Sequence, residues 1–465
     1  MNYSLLTDFG STYTKLTAVD LDTATIIGSS KSYTTINSTI KEGFDRAKED
    51  LLLSIGDPSI SFNHYASCSS AKGGFKMVGI GLSPTLTAEA AKRAALGAGT
   101  RILKIFSYGL SDVDLSEINN LQPDVILLSG GTNGGNMQGI ISDAKKLTTL
   151  TIDIPIVVAG NQDAYPEVSK LFTQSGHTFY LTDNVMPQVN ILNPLPVREI
   201  LRDIFMTHII EAKGMNDLDS EIGSISMPTP SAVLSAASLL SNGTDRQSGL
   251  GDLLVVDIGG ATTDIHSIGT GHPTSPDIRL EGLQEPNEKR TVEGDLGMRY
   301  SAESLLHSVG IKTFKDYSPL PTEVIEDKCY FRTQHPSYIA TTKEEKDFDN
   351  TLAKLAIETA INRHAGTYRR EPTPNRTLVF QTGKDLQSFN TVIGTGGILV
   401  HNDAPLDVLS ACLKKEEDTY LKPIDPSLYL DASYLLSSMG LLAETYPDVA
   451  LTILKNNLKT LNTTL

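Results

Sequence analysis

The chain has 465 residues, enough at roughly 150 residues per domain for about three domains. Its 40% hydrophobic and 20% charged composition is that of a globular protein and excludes a disordered or fibrous one. With 39 Lys plus Arg against 55 Asp plus Glu, the formal net charge of −16 argues against a nucleic-acid backbone as the main ligand.

The N-terminus MNYSLLTDFG lacks a basic patch and an apolar h-region, and no apolar run reaches the ~18 residues of a membrane span, so a cytoplasmic protein without a membrane partner is expected. YSLLTDFG, KLTAVDLD and TIIGSSKSYTT then read as three antiparallel strands, followed by a helix over 38–53. From Leu86 to Met186 the pattern alternates: helix 87–98, strand ILKIFSY, helix 112–120, strand DVILLSGG, helix 137–149, strand IPIVVAG, helix 164–175, strand HTFYLTD. Continuous apolar strands between amphipathic helices predict a parallel doubly wound sheet.

A helix near 195–213 precedes the polar stretch GMNDLDSEIGS and the small-residue helix of MPTPSAVLSAASLLSNG. GDLLVVDIGGATTDIHSIG is a buried strand, a Gly-rich turn and a second strand, repeating the logic of the N-terminus. Residues 301–308 and 345–363 read as helices, TLVFQTG and NTVIGTGGILV as strands, YLLSSMGLLAE as a second small-residue helix, and DVALTILKNNLKTLNTTL as a closing amphipathic helix. The cysteines Cys68, Cys329 and Cys412 are too scattered for a disulfide framework or a structural zinc site.

Three Gly-rich segments carry the chemistry: Asp8–Lys15, Asp257–Asp264 and Gly394–Gly397. In the first two an apolar strand ends in Asp, a Gly-rich turn with Ser or Thr follows, and a second strand returns. Glycine lets backbone N–H groups approach phosphate oxygens closely. The Asp supplies a hard oxygen for magnesium, through water because magnesium dehydrates reluctantly.

These segments resemble the actin, heat-shock chaperone and sugar-kinase ATPase superfamily. DFGSTYTK is similar to its first phosphate motif, DIGGATTDI to its second and VIGTGG to its adenosine motif, and the small-residue helices at 230–241 and 434–443 resemble its connecting helices. GDLGMR at 294–299 lies where that family starts a helix after its second phosphate hairpin.

The resemblance implies a two-lobed actin-like (ribonuclease H-like) α/β ATPase fold with an inserted parallel doubly wound α/β unit. The implied division is 1–85 as the start of the first lobe, 86–190 as the inserted flavodoxin-like unit, 191–250 as the return and first connecting helix, 251–446 as the second lobe, and 447–465 as the closing helix. ATP or ADP with magnesium is the implied ligand. Asp8 and Asp257 would hold the metal through water. Gly10, Ser11, Thr12, Tyr13 and Lys15 would contact phosphates from one side, and Gly259, Gly260 and Thr262 from the other. Asp264 would be a further acidic residue of the chemistry, and Gly394, Gly396 and Gly397 would lie against adenosine.

Two departures stand out. Ala261 takes the third glycine position of the heat-shock pattern, and Met227 stands where those chaperones place a Glu before Pro-Thr. Methionine can neither accept a proton from water nor orient it, which predicts slow hydrolysis or a water-positioning residue elsewhere in the chain.

The stretch 86–186 is similar to cobalamin-binding domains but lacks their cobalt-ligating Asp-x-His-x-x-Gly loop, and His64 has no such context. Across the whole chain, DFGSTYTKLTAVD, SCSSAKGGFKMVGIGLSPTLTAEAAKRAALGAG, VILLSGGTNGGN and VEGDLGMRYS resemble the MutL (GlmL) family, which is unrelated to the mismatch-repair protein of that name. That resemblance implies an ATP-dependent reactivating chaperone for a cobalamin-dependent glutamate mutase, with the mutase subunits as partners. The alternative on the same fold is a small-molecule kinase or hydantoinase-like hydrolase, for which His266, His401 and Asp403 are candidate catalytic groups.

Overall fold

A computed structural model describes all residues except 1, 11–12, 35–39, 71–74, 85, 98–99, 214–221, 223–224, 274, 375–376, 417 and 463–465. The chain divides into two compact units, Met1–Asp22 with Ile26–Ser231 and Thr23–Thr25 with Ala232–Leu465.

The first unit holds two sheets. One is built from β1 (Tyr3–Phe9), β2 (Tyr13–Asp20), β3 (Thr25–Tyr33), β4 (His64–Ser69) and, late in the chain, β10 (Ile225–Pro228), in the order β10-β4-β1-β2-β3. β1 and β2 form an antiparallel hairpin, whereas β4 runs parallel to β1 and β10 parallel to β4. Helix Ile40–Ile55 buries Ile40, Phe44, Ala47 and Leu51, which recur at helical spacing.

The second sheet comprises β5 (Phe75–Gly81), β6 (Thr100–Ser107), β7 (Val125–Leu128), β8 (Ile156–Val158) and β9 (Phe179–Leu181), in the order β6-β5-β7-β8-β9. Every pairing is parallel. This is the doubly wound order expected from the alternation, with its switch point at β5. β5 lies before residue 86, where the alternating pattern begins, and its sequence FKMVGIG is a weak strand signal because two of its residues are glycine. Gly81 is there for packing: a Cβ would sit 2.6 Å from the Ala88 nitrogen at the start of helix Thr87–Gly97.

The second unit repeats the first design. β11 (Leu253–Ile258), β12 (Thr263–Ile268), β14 (Glu288–Glu293), β17 (Thr391–Thr395), β18 (Ser427–Leu430) and β19 (Lys459–Asn462) form a sheet in the order β14-β12-β11-β17-β18-β19. Its first five strands match the order of the first sheet position for position: an antiparallel hairpin, a third strand outside it, then two strands parallel to the first. β13 (Ile278–Glu281), β15 (Thr367–Pro372) and β16 (Thr377–Thr382) make a small separate sheet. Helix Lys343–His364 buries Phe348, Leu352, Leu355, Ala356 and Ile361 in a core shared with Leu254, Val256 and Ile265 of the sheet.

The duplicated order, with a parallel α/β sheet within the first unit, is the actin-like α/β fold. The two small-residue helices, Thr229–Asn242 and Leu435–Ala443, meet at very short range: a Cβ on Gly440 would lie 1.8 Å from the Ala232 carbonyl oxygen.

Two segments differ from expectation. NTVIGTGGILV is not one strand: β17 stops at Thr395, and helix Gly397–Val400 follows because Gly396 turns the chain at φ +101°. The closing run is helical only over Pro447–Asn457, after which Lys459–Asn462 pairs antiparallel with β18.

Candidate functional site

The two Gly-rich hairpins are closed by the same kind of hydrogen bond. In the first, the Gly10 N–H donates to the Tyr13 carbonyl at 3.0 Å; in the second, the Gly259 N–H donates to the Thr262 carbonyl at 2.9 Å. Asp8 pairs with Lys15 across the first hairpin and Asp257 with Asp264 across the second, so each Asp is the last residue but one of its strand. Glycine is needed at position 10, where a Cβ would sit 2.6 Å from the Tyr13 oxygen; at Gly259 the nearest atom would be 3.3 Å away.

Register-paired side chains share one face of a sheet. In the first unit a row therefore runs across four strands: Lys15, Asp8, Cys68 and Met227. Asp8 is only 3% exposed. Its Oδ1 accepts a hydrogen bond from the Thr229 hydroxyl at 2.7 Å and a weaker one from the Cys68 thiol at 3.5 Å. Burial and the Asp8 charge push the Cys68 thiol well above its ordinary range, so it stays protonated and is a donor, not a ligand for a hard cation. Tyr13 stacks on Tyr33 with ring centroids 4.6 Å apart. Ser11 and Thr12 lie outside the described residues.

In the second unit the row reads Val292, Asp264, Asp257 and Thr395. Asp264 is buried and paired with Arg290, its Oδ2 3.1 Å from the guanidinium. Burial nonetheless raises its pKa, outweighing the lowering by Arg290. The segment Gly294–Arg299 starts no helix at once. It folds against the turn, with the Met298 and Arg299 N–H groups donating to the carbonyls of Gly259 and Gly260 at 3.0 and 2.8 Å. Gly297 permits this, since a Cβ would lie 2.3 Å from the Ala261 backbone.

Arg299 extends the brace outward. Its guanidinium bonds Asp349 at 2.7 Å, and Asp349 also accepts from the buried Arg332 at 2.7 Å. Arg332, Lys328 and Glu345 line a cavity of about 890 Å³ with Tyr330, Phe331 and Tyr338.

Gly396 presses on the end of β11, where a Cβ would lie 2.2 Å from the Ile258 oxygen. That places the Gly394–Gly397 segment beside the second hairpin. Gly394 is buried against Leu399 and Leu409, which a Cβ would reach at 2.9 and 3.0 Å, whereas Gly397 faces open space with only the Tyr434 hydroxyl near, at 3.9 Å. Asp431, after β18, accepts from the N–H groups of Leu435 and Leu436 and so caps the second small-residue helix.

Among the described residues no group of three or more His, Cys, Asp or Glu side chains could hold a metal. A magnesium ion surrounded mostly by water and phosphate needs only one or two carboxylates, and within its own unit each of Asp8 and Asp257 stands beside a Gly-rich turn. The candidates for small-molecule chemistry fare differently. His266 is buried and held well below 6.5 by burial and Arg290, a neutral core ring. His401 lies 3.3 Å from the Tyr434 hydroxyl, and Asp403 is an exposed partner of Lys346. The loop Ser129–Asn136 is tied down internally: Asn184 donates to the Gly131 carbonyl at 3.0 Å and Asn161 to the Gly135 carbonyl at 3.2 Å.

Thr229, Cys68, Arg290 and Arg299 were not singled out as site residues from the sequence. The signal that could have found Thr229 is its setting between Pro228 and Pro230, which pins the backbone on both sides. No described helix is long and apolar enough to cross a membrane.

The chain is similar to proteins of known structure at low identity. Component A of (R)-2-hydroxyglutaryl-CoA dehydratase from Acidaminococcus fermentans is 11% identical, with 97% of this chain and 100% of that one covered and a TM-score of 0.34. A nucleotide-free diol dehydratase-reactivating factor is 10% identical, with 96% and 100% covered and a TM-score of 0.37. Likeness at that level carries no functional argument. Sequence comparison is far closer: the protein MutL of Clostridium tetanomorphum is 49% identical over 459 residues, 98% of this chain and 99% of that protein. The family model described as MutL protein matches residues 4–458, and the chain belongs to that family.

Proposed function

We propose that the protein is an ATP-dependent reactivating chaperone for a cobalamin-dependent carbon-skeleton mutase of the glutamate mutase type, exchanging damaged cobalamin through ATP binding and slow hydrolysis. The observation that carries the nucleotide part is the duplicated Asp-ended hairpin, one copy per unit, with matching hydrogen bonds and register.

In this reading Asp8 and Asp257 hold water of a magnesium ion. The turns at Gly10–Tyr13 and Gly259–Thr262 offer backbone donors to phosphates, Lys15 neutralises charge beside Asp8, and Gly396 and Gly397 lie against adenosine. Bound magnesium would neutralise phosphate charge. Met227, buried in the row beside Cys68 and Asp8, leaves that position without a group to orient water, in keeping with a switch rather than a metabolic catalyst.

Binding and loss of nucleotide shift a conformational equilibrium only through contacts that differ between its states. The sequence of 86–186 is similar to cobalamin-binding domains without their cobalt-ligating loop, which supports its acting as a stand-in for such a subunit on the mutase.

The test is steady-state ATP hydrolysis with and without a cobalamin-inactivated glutamate mutase, alongside a panel of small phosphoryl acceptors. Stimulation by the mutase and recovery of its activity are expected. Rapid phosphorylation of a metabolite, without any effect of the mutase, overturns the proposal.

A further inference from the structure

The hydrogen bond from Thr229 to Asp8 joins two elements far apart in the chain. Thr229 opens helix Thr229–Asn242, directly after β10, and Asp8 is the last residue but one of β1. The hydroxyl reaches Oδ1 at 2.7 Å, and Cys68 lies 3.5 Å from the same oxygen and 3.6 Å from the Thr229 hydroxyl. Two donors, from β4 and the helix start, thus close on one carboxylate oxygen of β1, on a residue almost shut off from solvent. A hydrogen bond to an ionised carboxylate is short and strong, and it fixes the plane of the group that receives it.

The backbone supports this arrangement. Pro228 and Pro230 each fix their own φ, and Pro230 also restricts Thr229, the residue before it, so the hydroxyl is delivered by a pinned segment. Met227, two residues earlier, is in register with Cys68, so β10 delivers both the apolar neighbour and the hydroxyl to the same end of the sheet.

We propose that Thr229 is a positioning residue for Asp8: its hydroxyl sets the orientation in which the carboxylate meets the water shell of a divalent cation, and the first turn of helix Thr229–Asn242 thereby senses the charge held at Asp8. Cys68, a protonated thiol and a weak donor, fills the remaining corner and adds little. This inference rests on the nucleotide reading given above.

The test uses the full chain and a fluorescent ATP analogue, titrated with Mg2+ present and again in EDTA, for wild type, T229V, T229S and C68A. T229V is close in shape but has no hydroxyl. It is expected to weaken the magnesium-dependent part of nucleotide affinity about tenfold, with affinity in EDTA unchanged. T229S is expected to restore the magnesium effect, and C68A, which removes a weaker donor to the same oxygen, to reduce it less than T229V does. A T229V protein with wild-type magnesium dependence overturns the proposal, as does equal weakening in both arms, which would mark Thr229 as merely structural. Wild-type protein indifferent to magnesium overturns the nucleotide reading along with this one. Magnesium-dependent wild type with an unaffected T229V overturns this inference alone.

Discussion

The two hairpins share a backbone and differ in almost everything around it. In the first, Asp8 stands between Lys15 and Cys68 in a row that ends at Met227, and its Oδ1 accepts from the Thr229 hydroxyl. The second is held by charge and by a folded-back segment: Asp264 with Arg290 on one side, Arg299 with Asp349 on the other, and Gly297 pressed on the turn. A duplicated fold has kept the loop that can meet phosphate and changed what braces it. Backbone geometry is therefore the shared part of the design, and the bracing is where the two units are free to do different work.

The largest expected effect concerns the charged brace. Arg290→Met leaves Asp264 buried without its partner and is expected to cost about 3–5 kcal/mol at pH 8, read by denaturant unfolding; the double variant R290M/D264N should recover much of it. If R290M alone is neutral, the ion pair does not brace the second hairpin. Next, Asp8→Asn and Asp257→Asn should each weaken magnesium-dependent nucleotide affinity about 10–100-fold, measured by titration. An effect from only one would break the equivalence of the two hairpins.

The turns themselves should respond unequally. Gly10→Ala must displace the Tyr13 carbonyl and is expected to cost about 1–3 kcal/mol. Gly259→Ala, with its nearest contact at 3.3 Å, should stay within about 0.5 kcal/mol. Equal melting shifts would show that the first turn relaxes as easily as the second.

A dependence on pH is expected as well. His266 and His364 in the second unit are buried and held well below 6.5, chiefly by burial. A depressed histidine contributes stability above its unfolded value that is lost as pH falls below 6.5 toward the folded value, at about 1.4 kcal/mol per pH unit for each ring. Asp264 works in the opposite sense: its raised pKa means stability present below 3.8 and lost as pH rises through the folded value. In the first unit His64 is lowered too but is only half-buried. Amide hydrogen exchange at pH 7 and pH 5.5 should show the second unit losing protection faster; equal loss in both would remove this asymmetry.

Much of the fold was legible in the sequence because its signals are local. The alternation over 87–181 exposed the parallel sheet, and the strand-Asp-Gly-strand pattern exposed both hairpins. The misses also have local causes. β5 carries glycines where a strand usually carries bulk, and the closing run has helical periodicity that pairing with β18 overrides in its last residues. The candidate site was legible only in part. Asp8, Asp257 and the turn glycines stand out by motif, but Thr229 and Cys68 reach Asp8 from positions 221 and 60 residues away.

What the sequence by itself determined is the set of elements and the family: hydrophobic periodicity and turn glycines act over a few residues and need no partner to be read. What only the tertiary structure decided is the register between strands. A one-residue slip would turn Cys68 and Met227 to the other face of the sheet, and register alone places them beside Asp8 and Asp264 opposite Asp257, while the packing of two helices brings Gly440 against Ala232 at a distance no side chain could share.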